Sequence, residues 1–177
     1  GALIAVTPDM LAPVGLDQAS EPHLLVLGDG QSGKSALLRS IVQEIVRTKT
    51  SKEAQIIAHE ITRLYLARAV ASVDYSGLYG PLNEKGRPRV TTRNTGALQF
   101  AGQRVEYGYL PAAHTNGDLY VHFPDANLLV AGGPVCSESW PLLDWRNGAW
   151  LGGLVKAHEK LVALVKPDTR IIPGHGP

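Results

Sequence analysis

A chain of 177 residues with 44% hydrophobic and 19% charged residues has apolar material for one sizeable core, so a single α/β domain is expected. A formal charge of +1 argues against a polyanion-binding surface. The basic cluster Lys85, Arg87, Arg89 and Arg93 falls in a Gly/Pro-containing loop of the kind that is merely solvated, so neither nucleic acid nor a membrane is an expected partner.

In chain order, Gly1 to Val6 is apolar but too short to span a bilayer, and Thr7-Pro8-Asp9 interrupts it with no basic run before it, so no targeting segment is expected. His23 to Leu27 reads as a short buried parallel strand. Gly28-Asp29-Gly30-Gln31-Ser32-Gly33-Lys34-Ser35 follows and satisfies the phosphate-loop pattern GxxxxGK[ST]. In that pattern the glycines let successive backbone N–H groups turn inward around an anion. Lys34 reaches the β- and γ-phosphates, and the Ser35 hydroxyl suits Mg²⁺. Leu37, Leu38, Ile41, Val42, Ile45 and Val46 then repeat at helical spacing, which completes the strand, loop and helix that the motif requires. The implied ligand is ATP or GTP with Mg²⁺.

Hydrolysis needs more: an acidic residue ending a second strand and a group that orients the attacking water. The nearest acid is Asp74, but Ile61, Leu64, Tyr65 and Ala69 keep helical spacing toward it and place it at a helix end. No catalytic residue is assigned, and weak or absent hydrolysis is expected.

Farther along, Leu119, Val121 and Phe123 alternate with Tyr120 and His122 as in a half-buried strand, and Asn127 to Ala131 reads as an apolar strand. Leu151, Leu154, Val155, Leu161, Val162 and Val165 mark one helix face, on which His158 reads as a core histidine. Trp140, Trp145 and Trp150 suit a self-association surface as readily as a core. The lone Cys136 excludes an internal disulfide and is a poor metal site, which fits a reducing compartment, the cytoplasm by expectation.

Up to about Gln55 the chain resembles the FtsK/SpoIIIE-type ATPase modules of type VII secretion systems, through Leu11 to Asp17, Glu21 to Leu27, the phosphate loop, the helix behind it and Glu53-Ala54-Gln55-Ile56. From about Ile56 onward it resembles the C-terminal half of a metallo-β-lactamase-fold hydrolase. The carriers are Ile57-Ala58-His59-Glu60, Asp74 to Pro81, Pro111-Ala112-Ala113-His114-Thr115-Asn116-Gly117-Asp118 and Arg170 to Pro177. The second resemblance implies zinc ligands at His114 and His175, with Asp118 beside them. The HxHxDH ligand loop of that family is absent, and Gly133 stands where its bridging Asp is expected. Two imidazoles cannot complete a catalytic site that needs three protein ligands, so zinc is not expected.

Together the resemblances imply one layered α/β domain over residues 1–177, with a phosphate-loop unit (1–55) in place of the metal-loop unit of a metallo-β-lactamase-like segment (56–177). A nucleotide-binding protein is the first functional expectation. A metallo-β-lactamase-fold hydrolase with a degenerate metal site and a non-catalytic fold chimera are the alternatives.

Overall fold

The computed structural model describes residues 2–6, 13–16, 56–73, 77–100 and 102–176; the phosphate loop at 28–35, its flanking strand and helix, and Asp74 lie outside them. The chain divides into two compact units, residues 1–55 and 56–177. In the first, β1 (Ala2–Val6) pairs antiparallel with β2 (Pro13–Leu16), with an irregularity between Leu3 and Ala5.

The second unit opens with β3 (Ile57–His59), which runs directly into helix α1 (Glu60–Leu66). His59 caps the helix by accepting the Ile61 N–H on Nδ1 at 3.2 Å, and Glu60 places negative charge at its positive end. The helical spacing toward Asp74 does not hold: α1 stops at Leu66, and Val70–Ala71 forms β4, antiparallel to β5 (Leu78–Tyr79). The apolar period of that stretch is overridden by strand pairing. The basic loop is partly structured, since β6 (Val90–Thr92) lies parallel to β3, and Arg93 forms a bidentate pair with Glu60 at 2.5 and 3.0 Å.

The main sheet has five strands in the order β11-β10-β9-β8-β7. They are β7 (Thr95–Phe100), β8 (Gln103–Leu110), β9 (Asp118–Phe123), β10 (Leu128–Cys136) and β11 (Arg170–His175). Neighbours are antiparallel except β10 and β11, whose parallel pairing requires a crossover; helix α2 (Leu151–Val162) supplies it. The expected strand β9 forms, but its buried residue is Tyr120, while Leu119, Val121 and Phe123 are only half-buried. Tyr120 points into the core with Leu110, Ala113, Leu129, Ala131, Leu154, Ala157 and Leu161, which joins one sheet face to the inner side of α2.

Two glycines in the sheet are explained by the tyrosines opposite them. Gly96 is in register with Tyr107 and Gly108 with Tyr120, and a β-carbon at either glycine would come within 2.5–2.6 Å of the facing ring. Each ring therefore lies over its glycine, the cross-strand arrangement that compensates for a missing side chain. The apolar face expected of α2 is split. Leu154 and Leu161 are buried, whereas Leu151, Val155 and Val162 are exposed. No helix among the described residues is long and apolar enough to cross a membrane.

Candidate functional site

The connection between β8 and β9, residues 111–117, is held from three sides. From α1, the Thr62 hydroxyl donates to the Gly117 carbonyl at 3.1 Å. From β8, the Tyr109 hydroxyl donates to Asn116 Oδ1 at 2.6 Å. From the single-turn helix Trp145–Asn147, the Asn147 carbonyl accepts the Asn116 N–H at 2.8 Å, while the His114 carbonyl accepts the Asp144 N–H at 3.0 Å.

Asp118 closes this loop rather than projecting from it. Its Oδ2 accepts the Thr115 N–H and its Oδ1 the Thr115 hydroxyl, both at 2.7 Å. Burial pushes the Asp118 carboxyl up, opposed by the Thr115 hydrogen bonds and by the neighbouring His114. Both oxygens are thus committed to the turn.

His114 donates from Nδ1 to the Leu142 carbonyl at 2.6 Å, which leaves Nε2 carrying the lone pair, as in a ligating histidine. Its ring, however, fills the space beside Gly133: a β-carbon there would overlap Cδ2 and stand 2.7 Å from Cγ and 3.0 Å from Nε2. Any side chain at position 133 competes with the ring as placed. His175 is exposed near the end of β11, in register with Cys136, and its carbonyl accepts the Ser137 N–H at 3.2 Å. Among the described residues no group of three or more His, Cys, Asp or Glu side chains is gathered for a metal. His114, Asp118 and His175 are thus not gathered into one such set.

Three polar groups that escape sequence reasoning support the loop. Asp144 Oδ2 accepts from the Ser72 hydroxyl at 2.7 Å and from Asn147 Nδ2 at 2.6 Å, and the same Nδ2 reaches the Ala71 carbonyl at 2.8 Å. Burial pushes the Asp144 carboxyl up, but the bonds from Ser72 and Asn147 outweigh it and hold it below the usual carboxylate range. Its Oδ1 is buried without a hydrogen-bond partner among the described residues. The network ties β4 to the turn before α2. His122 also has a neighbour that the sequence hides, since Glu106 Oε2 lies 3.5 Å from its Nδ1 across β8 and β9.

His59 is buried and stacks on Tyr109 with ring centroids 4.0 Å apart. Burial pushes its pKa below the ordinary value, outweighing the Arg93 backbone carbonyl and the Glu60 charge, which favour the protonated ring. A depressed folded-state pKa gives stability that is complete above the unfolded value of about 6.5 and is lost as pH falls below it, by at most ~1.4 kcal/mol per pH unit. Urea unfolding at pH 7 and pH 5 should show this loss in the wild type. His59→Asn, which keeps a helix-capping side chain, should flatten it; an unchanged slope would contradict the assignment.

Comparison with known proteins finds two kinds of similarity. The FtsK/SpoIIIE family model matches residues 2–63. The ESX-4 secretion system protein EccC4 of Mycobacterium tuberculosis is 53% identical over 45 residues, 25% of this chain and 4% of that protein. The ESX secretion system protein EccC of Thermomonospora curvata is 41% identical over 63 residues, 36% of this chain and 5% of that protein. This chain thus spans only 4–5% of the length of the curated relatives it matches.

Solved structures match by fold. The metallo-beta-lactamase from Pontibacter korlensis superposes with a TM-score of 0.54 at 21% identity, over 76% of this chain and 54% of that one. The metallo-beta-lactamase IND-7 gives 0.54 at 19% identity over 84% and 70% of the two chains, and the B3 enzyme BLEG-1 gives 0.57 at 14% over 85% and 78%. Residues 2–63 are therefore similar to the FtsK/SpoIIIE family, and the chain carries a metallo-beta-lactamase fold.

Proposed function

We propose that the protein binds the phosphates of ATP or GTP, with Mg²⁺, through Gly28, Asp29, Gly30, Gln31, Ser32, Gly33, Lys34 and Ser35, with weak or no hydrolysis. The observation that carries this reading is the FtsK/SpoIIIE match over residues 2–63, which spans the complete phosphate-loop motif. Backbone N–H groups of the loop would cradle the phosphates, Lys34 would neutralise their charge, and Ser35 would sit in the Mg²⁺ shell. Weak hydrolysis follows from what succeeds the motif: a metallo-beta-lactamase-like sheet and helix, in place of a second acidic strand and a water-orienting group. That fold acts as a scaffold in this reading, because His114, Asp118 and His175 are not gathered into one metal-binding set. The cytoplasm, which supplies both nucleotides in a reducing setting, is the compartment we infer.

Thermal unfolding with and without Mg-ATP or Mg-GTP tests the reading. At 100 times Kd a single-site ligand adds roughly 2.7 kcal/mol to wild-type stability. Lys34→Ala should lose that increment while unfolding normally without nucleotide, since the side chain is a point charge on the phosphates. Equal shifts in wild type and variant, or none in either, would overturn the proposal.

A further inference from the structure

The uncovered flank of α2 has a definite pattern. Leu151, Val155, His158 and Val162 follow one another at intervals of four, three and four residues, the spacing of a straight seam between two packed helices. Leu151 is 66% exposed, Val155 50% and Val162 68%, so the described residues leave the seam largely uncovered. His158 sits within it, its Nδ1 bonded to the Leu154 carbonyl of the same helix at 2.9 Å. Trp150 precedes the seam and is 58% exposed.

Beside the seam lie two exposed charges of opposite sign, Lys156 and Glu159, neither of which forms an ion pair among the described residues. Lys160, by contrast, is committed to its own chain, donating to the Tyr109 carbonyl at 2.8 Å and lying over the Tyr120 ring. The order of the two free charges selects an occupant. In an antiparallel helix pair about a two-fold axis near residue 157, Leu151 meets Val162 and Val155 meets His158 of the other copy. Lys156 then lies beside Glu159 on both sides of the axis. The same patch is complementary to itself in apolar pattern and in charge, as a two-fold interface requires.

We propose that a second copy of this chain docks on the α2 flank, forming an antiparallel homodimer with Leu151, Val155, His158 and Val162 as its seam and Lys156 paired with Glu159. One short helix from each copy makes a modest interface, with an affinity on the order of micromolar.

Sedimentation velocity of the full chain over a concentration series tests this, with far-UV circular dichroism confirming that each variant is folded. The wild type should dimerise with rising concentration, and Val155→Asp should remain monomeric. Lys156→Glu and Glu159→Lys should each weaken dimerisation by about ten-fold, because each replaces two attractive contacts with two repulsive ones. The swap K156E/E159K should recover wild-type association, and an equimolar mixture of the two single variants should associate more tightly than either alone. A wild type that stays monomeric at 200-fold above a micromolar concentration would overturn the proposal. So would a swap that does not rescue, or a mixture no tighter than its components.

Discussion

Leu129→Ala is expected to lower the unfolding free energy by about 2–5 kcal/mol, the range for deleting a large side chain that the surroundings cannot replace. Leu129 is completely buried in β10, with His122 of β9 on one side and Ile171 of β11 on the other. Above it the inner side of α2 contributes Leu154, Ala157 and Leu161 to the same cluster. Strands hydrogen-bonded on both edges and a helix anchored at its start leave little room for collapse into the void. Urea unfolding at neutral pH measures the effect, and a loss below about 1 kcal/mol would remove Leu129 from the centre of this core.

Neighbouring glycines of α2 should respond with opposite signs. Alanine in place of an exposed helical glycine normally stabilises by up to ~1 kcal/mol. Gly152→Ala should follow that rule although Gly152 is half-buried, because the atoms nearest the added carbon all belong to the ring of Trp150, an exposed side chain that can swing aside. At Gly153 the added carbon would overlap the Ala112 carbonyl oxygen and stand 2.7 Å from its carbon and 2.8 Å from the Pro111 oxygen. Those atoms are backbone, and the same Ala112 oxygen accepts the Trp150 N–H at 3.2 Å where the helix begins. Gly153→Ala must push the helix off the turn, and a loss of about 1–3 kcal/mol is expected. Equal effects at the two positions, read from denaturation midpoints, would show that α2 does not rest on the 111–112 turn.

What the sequence disclosed depended on how local each signal was. The phosphate loop needs nothing beyond eight consecutive residues, so it is legible wherever it sits. The strand at Leu119 to Phe123 was legible because alternation is a two-residue rule, and the helix at 151–162 because its period is short. The period showed how wide the apolar arc of α2 is, but not which half of it the sheet would cover; Leu151, Val155 and Val162 therefore read as core and stand exposed. The stretch beyond Leu66 misled for the opposite reason, because Ile61, Leu64 and Tyr65 set a rhythm that Ala69 continues, whereas the helix stops at Leu66 and Val70 pairs with Tyr79 instead. Contacts that brace the β8–β9 loop lay outside any local rule. Ser72 and Asp144 are 72 residues apart, Asn147 and Ala71 are 76, and nothing in either segment names the other.

The two margins of the five-stranded sheet differ in kind. At β11 the outer strand carries Arg170 and Pro173, and proline has no N–H to offer an incoming chain. At β7 the outermost strand reads Thr-Gly-Ala-Leu-Gln-Phe, without a charge or a proline, and no described strand pairs with its far side. An open row of amide and carbonyl groups on an uncharged strand is a template on which another chain can polymerise, while a proline-bearing one terminates growth. Of these two margins, the one at β7 is the side on which a further strand could be added.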